Sequence, residues 1–256
     1  MASVVERIRR TVRKAVKEAA VNKNHKRVDD AKVDPRIQFP CYKSFDDLID
    51  VARLKALDEY VTERVRRHAA NQTDEKFHTG EMTISKDAPK VPGSRIIYLS
   101  KSQRDYNYLD LNKAELWGPT EESAEFESLM EFIKTLPFKS TARMMIMYDD
   151  SGSAVTAHRD HTMLETSHEF LWFRTNKGKP FYMLNNKTGQ KKYVESQAAW
   201  FDTCNQFHGA DAKEGLSVSI RVDGVFSDEL RARIPVPEYN AASTASLWAC
   251  VGDNKR

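Results

Sequence analysis

The sequence has little of what builds special architectures. Its three cysteines, Cys41, Cys204 and Cys250, are too few and too scattered for a disulfide framework or a cysteine-rich zinc site. Such sparse cysteine fits a reducing compartment, and a cytoplasmic location is expected. No apolar run approaches the roughly 20 residues that cross a bilayer, so no transmembrane segment is expected. With 10 glycines, 9 prolines and no repeat period, the chain is not collagen-like, a repeat array or of low complexity. A large excess of one charge is also missing, the formal net charge being +3. What is present is 40% hydrophobic and 30% charged residues over 256 positions, enough for a soluble chain with a sizeable core.

The small net charge hides an uneven distribution. Residues 1–27 carry nine basic side chains against Glu6 and Glu18, a net of +7, which leaves −4 for the other 229 residues. Val5, Ile8, Val12, Val16 and Ala19 recur at helical spacing with the basic residues on the remaining face. The segment is expected to be a basic amphipathic arm, either packed on the domain or facing nucleic acid or an anionic surface. Its Arg-rich, acid-poor make-up also matches part of a mitochondrial transit signal, although serine is scarce.

The rest divides into a helical N-terminal part over residues 28–92 and a domain over 93–256. Ser44-Phe45-Asp46-Asp47 has the form of a capping box. Leu48, Val51, Leu54, Leu57, Val61 and Val65 continue as one apolar face, which predicts a helix over 45–68. A second helix is predicted over 121–136, stopped by Pro137. Strand signals dominate elsewhere, at 96–99, 142–148, 170–175, 181–184, 191–194, 198–202 and 217–225, with residues 185–189 as a hairpin loop. Many short strands point to a β-sandwich or barrel, with the N-terminal helices on an outer face.

The chemistry concentrates in Thr156-Ala157-His158-Arg159-Asp160-His161. On extended backbone His158 and Asp160 share a face, so an imidazole and a carboxylate converge on one point. His208 lies 50 residues later, just after a predicted strand. Two histidines and one carboxylate make the facial triad of non-haem Fe(II) oxygenases, which leaves positions open for a co-substrate and dioxygen. His161 competes as a ligand but points away from Asp160 on a strand. Cys204 has no second cysteine nearby, so a buried thiol suits it better than zinc. Further on, Ser217, Ser219 and Arg221 share one strand face, opposite Val218, Ile220 and Val222. An arginine facing a barrel interior needs an anion, and a dicarboxylate supplies one through a bidentate pair.

These residues resemble those of the Fe(II)/2-oxoglutarate-dependent oxygenases, and in particular the branch of aspartyl/asparaginyl β-hydroxylases and bacterial proline hydroxylases. The match comprises Ala142–Tyr148, His158-Arg159-Asp160, Ala199-Trp200-Phe201-Asp202, His208 and Ser219-Ile220-Arg221-Val222-Asp223, about one third of the chain. The resemblance implies a mainly β fold with flanking helices, a double-stranded β-helix (jelly-roll, cupin-like) core. It implies Fe(II) on His158, Asp160 and His208. The 2-oxoglutarate would lie on Arg221 with Ser219 and His168, and dioxygen is the oxidant. It further implies hydroxylation of an unactivated C–H bond in a small, amino-acid-like substrate, with release of succinate and CO2. A carboxylate at Asp160 favours hydroxylation over halogenation. The branch often carries an Arg-x-His pair where this chain has Thr166-Ser167-His168, and Arg174 is a replacement on the face of His168 and Trp172. Arg159, Trp172 and Arg174 are the candidate substrate contacts.

Two other classes fit parts of the pattern. A cupin-like metal-binding module or non-oxygenase metalloenzyme accounts for the metal motif but has no use for Arg221. A nucleic-acid-associated protein accounts for the arm. Removing residues 1–27 separates the latter, because only a polymer-acting protein loses affinity in a salt-dependent way.

Overall fold

The computed structural model describes residues 39–71, 94–104, 111–159, 169–185, 187–203 and 206–234. The basic arm and most of the 28–40 stretch lie outside them, as do Asp160, His161, His168 and Cys204.

The first described element is strand β1 (Tyr42–Ser44), followed by helices α1 (Val51–Ala56) and α2 (Asp58–Asn71). Strands β2 (Ser94–Tyr98), β3 (Ser100–Ser102) and β4 (Trp117–Pro119) lead to helices α3 (Glu122–Glu125) and α4 (Glu127–Ile133). Eight strands follow: β5 (Phe138–Asp149), β6 (Val155–His158), β7 (Phe170–Phe173), β8 (Phe181–Leu184), β9 (Lys191–Tyr193), β10 (Ala198–Phe201), β11 (Phe207–Ala210) and β12 (Ser217–Phe226). Helix α5 (Asp228–Ala232) closes the described chain.

The last eight strands pair as one long hairpin folded on itself. Strand β8 pairs with β9, β7 with β10, β6 with β11 and β5 with β12, all antiparallel. Cross-pairs β7–β12 and β8–β11 then sort these strands into two sheets, ordered β1-β10-β7-β12-β5-β2 and β6-β11-β8-β9. Nested pairing split between two sheets is the arrangement of a jelly roll. Residues far apart in sequence become neighbours, because the outer pairs of the nest join the ends of the segment.

The helices cover the six-stranded sheet. Leu54, Val61 and Val65 are fully buried in one apolar core with Ile146, Phe173, Ile220 and Val222. The rings of Phe132 and Phe173 lie 5.8 Å apart. Asp58 at the start of α2 accepts hydrogen bonds from Thr175 Oγ1 (2.6 Å) and Asn176 Nδ2 (2.5 Å), tying the helix to the end of β7. Neighbouring strand positions point oppositely, so Trp172 and Arg221 face the space between the sheets. No helix among the described residues is long and apolar enough to cross a membrane.

The predicted strands are present with shifted ends, the 181–184 strand without any shift. The capping box is a correction. Phe45 N–H donates to the Ala198 carbonyl, and the Asp46 carboxylate accepts from Gln197 N–H and Ala198 N–H. That segment is thus held at the edge of β10. The helix starts later, at a cap where Asp50 accepts from Arg53 N–H. It also divides at Leu57, and the predicted 121–136 helix divides at Phe126, whose side chain is fully buried. The short strands β1, β3, β4 and β11 carry too few residues for a period-2 signal.

Candidate active site

Strands β6 and β11 bring His158 and His208 together. They are directly paired across the two strands, and their ring centroids are 4.5 Å apart. Each ring is oriented by its own strand. His158 Nδ1 lies 2.8 Å from the Thr156 carbonyl oxygen, and His208 Nδ1 lies 3.1 Å from the Gln206 carbonyl oxygen. A carbonyl only accepts, so each Nδ1 carries a proton, and in a neutral imidazole of this tautomer Nε2 is the acceptor nitrogen. That tautomer is the one a metal-binding imidazole uses, and a backbone carbonyl behind the ring is a usual way of fixing it.

Gly209 makes this pairing possible. A side-chain carbon there would sit 2.7 Å from the Val155 carbonyl oxygen and 2.8 Å from Tyr182 Oη. Aromatic rings enclose the His208 side, Phe201 at 5.0 Å and Phe181 at 5.9 Å between centroids.

The imidazoles open on a cavity of about 150 Å³ between the sheets, which His158, His208, Trp172, Arg174, Ser219 and Arg221 help to line. Trp172 stacks on Phe181 at 4.8 Å. Arg221 makes a two-toothed pair with Asp223, Nη2 to Oδ1 at 2.9 Å and Nε to Oδ1 at 3.1 Å, and lies 4.0 Å over the Phe170 ring. The same carboxylate, fully buried, accepts from Arg143 Nε at 2.8 Å. The anion expected opposite Arg221 is therefore supplied in part from within the strand.

Arg174 is 4% exposed. It donates from Nε to the Ser196 carbonyl, from Nη1 to the Lys179 carbonyl and from Nη2 to the Val194 carbonyl. Its guanidinium lies 5.2 Å from the Trp172 ring. Burial lowers its pKa from the ordinary arginine value.

Arg159 does not belong to this group. It is 1% exposed, does not line the cavity, and places its guanidinium 5.0 Å over the Phe207 ring. Arg159, a candidate substrate contact from the sequence, is thus buried against Phe207 and is not one of the cavity-lining residues. Asp160 and His168 fall outside the described residues.

Lys179, Asp149 and Asn176 also line the cavity, and sequence reasoning passed over all three. Lys179 Nζ donates to Asp149 Oδ2, and both side chains are buried. Asp149 Oδ1 accepts from Ser151 N–H at 2.8 Å and Ser151 Oγ at 2.7 Å. Burial raises the Asp149 pKa, but the bonds from Lys179 and Ser151 prevail and hold it below the usual carboxylate value. In the sequence, Lys179 sits in a polar turn, Lys177-Gly178-Lys179-Pro180, and Asp149 at a strand end, where charges are ordinarily solvated. Asp223 had a readable signal, being two residues from Arg221 on the same strand face.

The chain matches no protein-family model and no curated protein. Its fold is similar to that of a prolyl-4-hydroxylase from Pseudomonas putida, at 12% identity over 76% of this chain and 94% of that one, with a TM-score of 0.39. It is similar as well to a Trichoplax adhaerens prolyl hydroxylase solved with a hypoxia inducible factor peptide fragment (9% identity, 82% and 93% covered, TM-score 0.44). A 2OG-Fe(II) oxygenase family oxidoreductase from Burkholderia pseudomallei gives 12% identity, 69% and 93% covered, and a TM-score of 0.34. These values describe a distant likeness in fold, and the chemistry of the site rests on its own residues.

Proposed function

We propose that the protein is an Fe(II)- and 2-oxoglutarate-dependent oxygenase on a double-stranded β-helix core. In this reading it hydroxylates an unactivated C–H bond of an amino acid or amino-acid-derived substrate. The observation that carries the proposal is the facing pair His158 and His208, each with Nδ1 held by a backbone carbonyl, which directs Nε2 as the metal-binding nitrogen in this reading. Asp160 follows His158 by two residues and is the third proposed ligand. Two imidazoles and a carboxylate fit Fe(II) and leave positions open.

When bound, the iron supplies the oxidising chemistry that converts 2-oxoglutarate, dioxygen and R–H into succinate, CO2 and R–OH. The chain's own residues do the remaining work. The Thr156 and Gln206 carbonyls orient the two rings. Phe181, Phe201 and Trp172 give the cavity an apolar wall that limits water around the reacting groups. Arg221, Arg174 and Lys179 make the cavity cationic, which suits a dicarboxylate co-substrate.

The test is succinate formation from 2-oxoglutarate with Fe(II) and dioxygen, screened over a panel of amino acids and peptides. Stimulation by one of them is the expected result. A protein that forms no succinate under any condition contradicts the proposal.

A further inference from the structure

The carbonyl that faces His208 Nδ1 at 3.1 Å belongs to Gln206, whose side chain is also committed around the site. Gln206 is 4% exposed, so its amide must find partners inside the protein. Nε2 donates to the Leu184 carbonyl on β8 at 3.0 Å and to the Phe207 carbonyl on β11 at 2.7 Å, which uses both of its hydrogens. Oε1 accepts from Cys41 N–H, beside β1, at 3.1 Å. One amide thus ties together segments from both sheets. The backbone is held as well. Gln206 N–H donates to the Asp202 carbonyl at 2.8 Å, and Asp202 N–H donates to the Cys41 carbonyl at 3.1 Å.

These bonds bear on one peptide group, the one that joins Gln206 to Phe207 and carries the carbonyl behind His208. It is fixed before, through Gln206 N–H, and after, through the Phe207 carbonyl. Turning that carbonyl away from the ring breaks bonds at buried groups, and a buried bond left unmade is costly. The carbonyl behind His158 belongs instead to Thr156, which is exposed. The brace is on the His208 side.

We propose that Gln206 is a positioning residue for the metal site, holding His208 in the Nδ1–H tautomer through its side-chain amide. The nature of the ion rests on the oxygenase reading, whereas the tautomer is read without any metal.

The experiment is nitrogen NMR of isotope-labelled histidine rings in the metal-free full chain at about pH 8.5, where an ordinary imidazole is neutral. Wild type is expected to show His208 with its proton on Nδ1. In Gln206→Met, which keeps the length of the side chain and removes the amide, His208 is expected to divide between the two tautomers, while His158 keeps its own. Mn(II) affinity, by equilibrium dialysis, is expected to fall about tenfold or more, the usual scale for a group that orients a metal ligand. Leu129→Ala, in the core under helix α4, is the control for lost stability alone and is expected to change neither reading. Should Gln206→Met fail to fold, Gln206→Glu decides, because it keeps the acceptor for Cys41 N–H and loses the donors to the two carbonyls. A folded Gln206 variant with the wild-type tautomer or wild-type affinity overturns the proposal. So does a wild-type His208 protonated on Nε2 alone, or a Leu129→Ala protein that shows the same changes. A wild type that binds no Mn(II) overturns the oxygenase reading and this role with it, whereas an unchanged Gln206 variant beside a metal-binding wild type overturns only the role of Gln206.

Discussion

His158 and His208, 50 residues apart in the chain, are direct cross-strand partners with ring centroids 4.5 Å apart. Directly opposed positions on antiparallel strands hold side chains at about 4.5–5.5 Å between Cβ atoms, within reach of one common ion. The pairing follows from the nested hairpin, so whatever disturbs β6 against β11 disturbs the site before it disturbs the rest.

Gly209→Ala is the sharpest such disturbance. The added carbon would fall 2.7 Å from the Val155 carbonyl oxygen and 2.8 Å from Tyr182 Oη, so the two strands must separate. The expected cost is about 1–3 kcal/mol, the usual range for overpacking. Denaturant unfolding should show it, and equilibrium dialysis with Mn(II) should show weakened metal binding. Wild-type metal affinity in a destabilised variant would mean that the imidazoles do not depend on this strand pair.

Asp223→Ala removes the carboxylate shared by Arg143 and Arg221. Removing one partner of a buried ion pair typically costs about 3–5 kcal/mol. Asp223→Asn keeps an acceptor in place and should cost less. The two variants are compared by urea midpoint, and equal midpoints would contradict the role given to the shared charge.

The Asp149–Lys179 pair gives stability a pH dependence with a definite sign. The Asp149 pKa in the folded protein is below its ordinary value, near 3.9 in an unfolded chain. Its contribution is full above about pH 4 and is lost as pH falls through the lowered folded pKa. Asp149→Asn lacks that contribution, so the gap in stability between wild type and variant should narrow from pH 5 to pH 2. Unfolding curves across that range check it, and a constant gap would contradict the assignment.

Strands in the barrel were legible where alternation ran long enough, as in β12, expected over 217–225 and found over 217–226. His158, His208, Trp172, Ser219 and Arg221, singled out in the sequence, line one cavity. What escaped depends on closure of the fold. Asp149 and Lys179 look like surface charges until β5 and the β7–β8 turn meet. The contact of Arg159 with Phe207 likewise depends on where β11 falls. The capping box at Ser44 failed because tertiary partners hold the segment: Phe45 and Asp46 bond to the start of β10, and Asp47, the acid of the box, pairs with Arg233.

The central claim is that His158 and His208 hold iron for a 2-oxo acid. Under nitrogen, protein with Fe(II) and 2-oxoglutarate should develop a visible charge-transfer band, and His158→Ala and His208→Ala should each lose it while remaining folded. A wild-type protein without the band, or a His208→Ala protein that keeps it, would contradict the account.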